Sequence, residues 1–510
     1  MSHTIENLIA TLQTPDIYPH DVSQDISLVQ THVSYVLLTG DYAYKLKKAV
    51  NFGFLDFSTL AQRKHFCEAE LELNSALTED LYLGLVAITY DGDRYGFDGA
   101  GEIVEYAVKM RQFPQENLLS GMFEAGTLTE DHLVQLGKTV AAFHQTTTTN
   151  EYILGFGEIP KIRQAIDENY QQTLGYIGRA QTQKRFEETK TFTDNFFASR
   201  EDIFASRRAQ LKIRECHGDL HLRNICLWQD KIQLFDRIEF NEPFRFVDTM
   251  YDVAFAVMDL DARGATALGN AFLNTYVEQT GDWEGLQVLP LYLSRQAYVR
   301  AKVTSFLLDD PAIAPAAKEE AAKTATDYYK LAWQYTRLPK GKVVMMSGLS
   351  GSGKSTVARR CSRIWNAIQI RSDAVRKHLA GIPLDEKGDD TLYSPEMTQK
   401  TYDRLLELGL MLAKQGFTVI LDAKYDRIQL RKQVIEACRA VDIPFQVLYC
   451  QTPISILEQR LQERSGDISD ATPDLLQAQL DNSEGFTDDE ALWVRSIDTT
   501  QDLDAIISYM

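Results

Sequence analysis

Cysteine is scarce in this chain. Six stand among 510 residues, Cys67, Cys216, Cys226, Cys361, Cys438 and Cys450, and no two form a C-x-x-C pair. Cys216 and His217 lie near Cys226, but the spacing is not that of a zinc cluster, and buried free thiols are the expectation. Positive charge is also in deficit, with 53 Lys and Arg against 72 Asp and Glu and a net charge of -19. A chain without a positive field is not built to coat nucleic acid or an anionic membrane, although a small basic cleft is compatible with the total. No long apolar run is present. The opening stretch, MSHTIENLIATLQTPDIYPH, lacks a basic segment followed by a continuous apolar one. Neither a signal peptide nor a membrane span is expected, and the cytoplasm is the expected location. Internal repeats and low-complexity tracts are missing too.

What is there suits a folded chain of at least two domains. Apolar residues make up 44% of the sequence, enough for real cores. HVSYVLL, a TGD turn and YAYKLKK read as strand, turn, strand. FSTLAQRKHFCEAELELNSALT has helical periodicity. LGLVAIT and EIVEYAVKM are further strands. Residues 128–210 read as mostly helical with a break near GFGEIP, and NICLW and KIQLF as strands about a QD turn. PAAKEEAAKTATDYYKLAWQY predicts a helix. At RLPKGK the composition changes, which sets domains at 1–335 and 341–510 with a short linker at 336–340.

The strongest local signal is GLSGSGKST. It matches G-x-x-x-x-G-K-[ST] and lies between an apolar strand, KVVMMS, and a helix, TVARRCSRIW. Glycines let the backbone N–H groups of Gly348, Leu349, Ser350, Gly351, Ser352 and Gly353 converge on phosphate oxygens. Lys354 brings a compact positive charge to the outer phosphates, Ser355 a hydroxyl for magnesium, and Thr356 continues the favourable helix N-terminus. A second strand, AIQIR, precedes Asp373 and Arg376. Asp373 is placed to orient or deprotonate an attacking hydroxyl, and Arg376 to hold an anionic or polar acceptor. Helix capping by Ser372 or Asp373 is the competing reading. FTVILDA ends in Asp422, an acid suited to magnesium, and Lys424, Arg427 and Arg431 follow. PFQVLYC is the last strand-like run. Beyond it Arg460 and Arg464 lie four apart on one helix face, either to close over phosphate or as a solvated basic face. Strands alternating with helices predict a parallel sheet covered by helices.

On GLSGSGKST, IRSDAVRKHL, VILDA and QRLQERSGDISDAT, residues 341–510 resemble the small P-loop kinases of the zeta-toxin, gluconate-kinase and polynucleotide-kinase type. The resemblance implies that Asp373 contacts the hydroxyl receiving the phosphoryl group, that Arg376 binds the acceptor, and that Arg460 and Arg464 are lid arginines.

A second constellation is HGDLHLRN, followed by LFDRIEF. Two acids and an amide in this order suit a triphosphate with magnesium: Asp219 as base, Asn224 and Asp236 as magnesium ligands, and His217 as support for the loop. A hydrolytic metal site is the simpler alternative. Upstream, Lys45 is a candidate phosphate contact held by Glu70. Lys47, on the same strand face, and Glu68 are alternatives. YVLLTGDYAYKLKK, HFCEAELELNSAL, CHGDLHLRNI and LFDRIEF resemble the aminoglycoside-phosphotransferase and choline-kinase-like superfamily. With NFGFLDFSTLAQRKHF and FVDTMYDVAFAVMDLD, the whole chain resembles bacterial two-part proteins that fuse such a domain to an ATP-binding P-loop kinase. The resemblance implies a bilobal protein-kinase-like fold ahead of the P-loop domain, and stabilising roles for Asp248 and Asp252. The sequence departs from ordinary kinases in two places. No G-x-G-x-x-G precedes Lys45, where QTHVS stands, and Asp236 is followed by RIEF.

The expected function is that of a bifunctional ATP- and magnesium-dependent phosphotransferase. It would transfer the terminal phosphoryl group to alcohol groups of small hydroxylated metabolites, with nucleic-acid 5′-hydroxyl ends kept open. A nucleotide-driven regulatory module with a non-catalytic amino-terminal sensor half, and a toxin-like nucleotide-sugar kinase, are the alternatives.

Overall fold

The computed structural model describes residues 4–22, 25–78, 80–463, 468 and 475–508. The chain divides into two compact units, one of residues 1–132, 142–162 and 204–256, the other of residues 133–141, 163–203 and 257–510.

The first unit contains a six-stranded antiparallel sheet. Its strands are β1 (Ser27–Gln30), β2 (Ser34–Leu38), β3 (Tyr42–Lys47), β4 (Tyr82–Tyr90), β5 (Tyr95–Phe97) and β6 (Glu102–Arg111), in the order β1-β2-β3-β6-β4-β5. Alternation along β3 sorts its side chains by face. Tyr44 and Leu46 enter a core with Leu8, Leu12, Leu37 and Ile88. Ala43 faces the other way, toward Cys67, Val108 and Met110, which puts Lys45 and Lys47 on that second side. The helix Leu60–Ser75 carries Glu70 and starts at a capping box between Thr59 and Gln62. β7 (Ile213–Glu215) pairs with β10 (Phe246–Asp248), and β8 (Ile225–Trp228) with β9 (Lys231–Leu234). The β8–β9 turn is Gln229 and Asp230, with φ of 50° and 61°. Both are left-handed, as a two-residue hairpin turn requires. The expected break at GFGEIP is a 3-10 turn, Gly155–Gly157.

In the second unit β11 (Lys342–Ser347), β12 (Ile368–Arg371), β13 (Thr418–Asp422), β14 (Phe445–Gln451) and β15 (Val494–Asp498) form a sheet in the order β12-β13-β11-β14-β15, every pair parallel. Val344, Met346, Ile420 and Leu448 meet Val357 and Cys361 of the helix Lys354–Trp365 in the core. One expectation is corrected: PFQVLYC, which becomes β14, is not the last strand. β15 follows it as an edge strand in which only Ile497 is fully buried, so it lacks the apolar run that marks β11, β13 and β14. The helices Thr266–Thr280, Leu289–Phe306 and Pro315–Gln334 belong to this same compact unit. Residues 336–340 are thus a break in local structure, between the last of these helices and β11. All six cysteines are free and buried. No helix among the described residues is long and apolar enough to cross a membrane.

In the first unit the Arg207 guanidinium binds both oxygens of Asp248, with Nε at 2.8 Å from Oδ2. Their side chains are 2% and 1% exposed. Removing one partner strands a charge that water cannot reach. Asp248→Ala is therefore expected to cost about 3–5 kcal/mol, read as a lower urea midpoint for the transition that includes this unit.

Candidate functional site

β11 delivers the chain to a loop of residues 348–353, and the helix Lys354–Trp365 leaves it. At Gly348, φ is 135°, and a Cβ would lie 2.6 Å from the Cys450 carbonyl oxygen and 2.8 Å from Ser352 Oγ. Only glycine lets the loop pass β14 so closely. Gly353, at φ 86°, is the N-cap. Lys354 Nζ donates to the Leu349 carbonyl at 2.8 Å, and the Ser350 N–H to Gln479 Oε1 at 3.1 Å. Burial lowers the Lys354 ammonium pKa, partly offset by the nearby Asp422. The Ser352 carbonyl accepts from Thr499 Oγ1 at 2.8 Å, while its hydroxyl is buried without a partner among the described residues. Ser355 lies in the first turn and is half-buried, and Thr356 is exposed. A cavity of about 360 Å³ opens beside the loop, lined by Leu349, Ser352, Tyr449, Thr452, Leu457 and Asp498.

Asp422 ends β13 and is buried. Gln369, from β12, donates through Nε2 to Asp422 Oδ2 at 2.8 Å and lies 3.4 Å from the Ser355 carbonyl. The two residues expected to face magnesium thus flank one carboxamide. A glycine-framed loop, a lysine and these oxygen donors fit a phosphate chain with a hard cation.

Asp373 and Arg376 share the helix Ser372–Ala380. The capping alternative is set aside, because the N-cap is Arg371 and no side chain caps this helix. Asp373 is half-buried in the first turn. Arg376 is 7% exposed. Its Nη1 donates to the Leu392 carbonyl at 3.1 Å and Thr398 Oγ1 at 3.3 Å, and its guanidinium lies 5.0 Å from the Tyr393 ring centre. Its Nε is buried without a hydrogen-bond partner among the described residues. Among the described residues no carboxylate pairs with it. Arg460 is not on a solvated face: Nη1 binds Thr499 Oγ1 and Nη2 the Thr499 carbonyl, both at 3.0 Å, with the Gly351 carbonyl at 3.5 Å. Here it braces the P-loop from below. Arg464 lies outside the described residues. Arg431 is buried against Glu490 at 2.8 Å, a structural position.

In the first unit Lys45 Nζ donates to Glu70 Oε1 at 2.8 Å and to Asp236 Oδ1. Lys47 binds the other Glu70 oxygen at 2.8 Å and Glu239 Oε1, and it is buried. Lys45 is therefore the lysine at the open end, beside an Asp236 side chain that is 41% exposed. Glu68 is exposed and faces Lys64. Burial would push Glu70 up, but its two ammonium partners hold it well below the usual carboxylate range, while burial raises Glu239 despite Lys47. Asp236 has φ 61°, and its N–H donates to the Tyr82 hydroxyl at 3.2 Å. Asn224 Nδ2 donates to Asp219 Oδ2 at 3.1 Å, and the Asn224 carbonyl accepts the N–H of Phe235, the residue before Asp236, at 3.0 Å. His217 is buried and its pKa lowered, mainly by that burial. Its Nε2 donates to the Phe235 carbonyl at 3.0 Å while Nδ1 accepts the Asp219 N–H at 3.3 Å. Asp252 accepts the N–H groups of His217 and Gly218 at 2.6 and 2.8 Å and lies 3.2 Å from His144 Nε2.

Sequence reasoning missed Gln369, Gln479 and Tyr82. Gln369 left a signal: it is the one uncharged polar side chain in a four-residue strand buried throughout. Gln479 and Tyr82 left none, since each acts across a long stretch of chain.

Residues 343–485 match the AAA_33 family, an AAA domain, and the loop and parallel sheet define this part of the chain as a P-loop domain. Over 469 residues, 91% of either chain, the sequence is 30% identical to the uncharacterized protein Rv2004c of Mycobacterium tuberculosis H37Rv, and it belongs to that protein's family. Over 130 residues, 24% of this chain and 63% of the relative, it is 28% identical to the adenylyl-sulfate kinase of Myxococcus xanthus. A gluconokinase structure from Sinorhizobium meliloti 1021 is similar over 34% of this chain and 90% of its own, at 22% identity and a TM-score of 0.25.

Two outcomes are expected. Gly348→Ala forces a left-handed Ala against a carbonyl, a strain of about 1–3 kcal/mol, and should weaken nucleotide binding about ten- to hundredfold in a fluorescent-nucleotide titration. The second concerns acid. Burial would raise Asp252, but the hydrogen bonds and charges of His144 and His217 hold it below its ordinary 3.8. A depressed carboxylate stabilises fully above the unfolded value, and the gain is lost as pH falls through the folded one. The thermal midpoint of the wild type should exceed that of Asp252→Asn at neutral pH, and the gap should narrow from about pH 5 to about pH 3.

Proposed function

We propose that the chain is an ATP-dependent phosphotransferase whose P-loop domain, residues 341–510, passes the terminal phosphoryl group to a small, hydroxylated, anionic metabolite. The observation that carries this is Arg376: a buried guanidinium that, among the described residues, has no carboxylate partner and an unbonded Nε, three residues after the half-buried Asp373. A buried cation left this way calls for an anion. Kinship with an adenylyl-sulfate kinase supports the class of reaction.

In this reading Asp373 accepts the proton of the acceptor hydroxyl as its oxygen attacks phosphorus, and the ADP oxygen leaves. Gly348 to Gly353 present N–H groups to the phosphates, Lys354 offsets their charge, and Ser355 and Asp422 hold magnesium. Magnesium, when bound, supplies charge to the phosphate oxygens and orients them. Arg460 keeps the loop in place, and the lid role is assigned to Arg464. A cytoplasmic setting belongs to the proposal because ATP is the donor.

Residues 1–335 form the second half of the proposal, a kinase-like domain joined through 336–340. There Lys45, held by Glu70, meets the phosphates, Asn224 and Asp236 hold magnesium, and Asp219 is the base. Its site has its own reason to take a cation: Glu70, Asp236 and Glu239 outnumber Lys45 and Lys47. A non-catalytic sensor half is the second reading, favoured by the lack of a G-x-G-x-x-G before Lys45.

The test is transfer of labelled terminal phosphate from ATP to a fractionated metabolite pool, with oligonucleotides run separately, using wild type, Lys354→Ala, Asp373→Asn and Asp219→Ala. A labelled anionic acceptor, reduced about a hundredfold or more by Lys354→Ala and Asp373→Asn, is the expected result. An acceptor lost only in Asp219→Ala would move the transfer to the amino-terminal half. Lys354-dependent ATP hydrolysis with no labelled acceptor would defeat the metabolite-kinase reading.

A further inference from the structure

The P-loop sheet ends at β12, and an edge strand carries a row of unpaired N–H and C=O groups. Here the edge is closed by a side chain. Asn274, on the helix Thr266–Thr280, accepts the Gln369 N–H through Oδ1 at 2.7 Å and donates through Nδ2 to the Ala367 carbonyl at 3.0 Å. A neighbouring parallel strand would make the same two bonds, one to the carbonyl before Ile368 and one from the N–H after it. One carboxamide therefore stands in for the N–H and C=O of one residue of a missing strand. Asn270, a turn away, adds a second donor to the Ala367 carbonyl at 3.0 Å and accepts from Arg363 Nη1 at 2.8 Å. Both asparagines are buried, so this orientation is fixed by the bonds it must make.

Fixing Gln369 matters because of where its side chain goes. Its backbone is pinned between Asn274 and β13, with Gln369 opposite Ile420, and its Nε2 then reaches Asp422 Oδ2 at 2.8 Å. Asp422 Oδ1 is left without a protein partner among the described residues. The same helix also touches the strand end and helix that carry Asp373: His378 Nε2 lies 2.7 Å from the Glu278 carbonyl, and Arg371 lies 3.9 Å from the Glu278 carboxylate.

We infer that Gln369 is a positioning residue that sets the Asp422 carboxylate for magnesium, and that Asn274, outside the P-loop motif region, holds Gln369 in turn. The inference rests on the P-loop reading given above. Partners that orient a metal-binding carboxylate are worth about 10–100-fold in metal affinity. Gln369→Met keeps the length and removes the donor. Asn274→Ala leaves Gln369 intact and frees its backbone.

The experiment is a titration of the full chain with a fluorescent ATP analogue, in EDTA and across a magnesium series, with thermal midpoints recorded. In Gln369→Met the magnesium concentration that half-tightens nucleotide binding is expected to rise about tenfold or more, with affinity in EDTA close to wild type. Asn274→Ala should move the same way by less, and it carries the test if Gln369→Met does not fold. An unchanged magnesium midpoint in the variants would overturn the inference alone. So would equal losses with and without magnesium, the mark of a merely structural residue. No tightening by magnesium in the wild type would overturn the P-loop reading and the inference together.

Discussion

A carboxylate set at the end of a buried strand must be met by a donor, and both units of this chain are arranged around that requirement. Asp422 follows the apolar run of β13 and is met by the neutral carboxamide of Gln369. Asp236 follows β9 and is met by the ammonium of Lys45. The choice of partner sets the electrostatics around it. A neutral donor leaves the charge of Asp422 to act on the nearby Lys354 ammonium and on a cation brought to the site. A cationic donor cancels Asp236, and the first unit restores an excess of negative charge by burying Glu70 and Glu239 beside two lysines. Burial raises the Glu239 carboxyl, which takes only one ammonium group, while Glu70 takes both and is held low.

The P-loop obeys a second constraint, which is that converging N–H groups need acceptors and room. Gly348 supplies the room, since β14 passes within contact of where a Cβ would stand. The Ser350 N–H and Lys354 Nζ are satisfied by an amide oxygen and a carbonyl, of Gln479 and Leu349. These are neutral acceptors, and charged phosphate oxygens form hydrogen bonds roughly twice as strong. A phosphate bound at this loop would replace neutral acceptors with charged ones. Arg460, bound to Thr499 and to the Gly351 carbonyl, ties the loop to the end of β15 instead of reaching across it.

Much of this was legible in the sequence because the signals were local. The strand–loop–helix around GLSGSGKST and the hairpin turn at Gln229 and Asp230 each depend on a few adjacent residues. Lys45 and Glu70 could be named as candidates from a strand and a helix, yet nothing in the text separated Lys45 from Lys47. Their faces are the same, and only their distances from Asp236 and Glu239 divide them. β15 stayed hidden because an edge strand with one deeply buried residue carries no apolar run. The capping reading of Asp373 stood until backbone geometry put the N-cap at Arg371. Arg460 was readable as basic and helical, but its partners, Thr499 and Gly351, are 39 and 109 positions away.

Asn274 shows why composition and packing divide the chain differently. The break at RLPKGK is real in local structure, because a helix ends and β11 begins there. The sheet that follows, however, is unfinished at β12. Its open edge would demand either solvent or another strand, and the chain answers with an asparagine from a helix 93 and 95 positions upstream. Burying that carboxamide is favourable only while both of its bonds to β12 are made. The helix Thr266–Thr280 and the sheet are thereby held to one register, with Arg363 and Asn270 fixing the neighbouring turn. A P-loop domain cut free at residue 341 would keep Gln369 but lose Asn274, the group that completes its edge strand and holds Gln369 against Asp422.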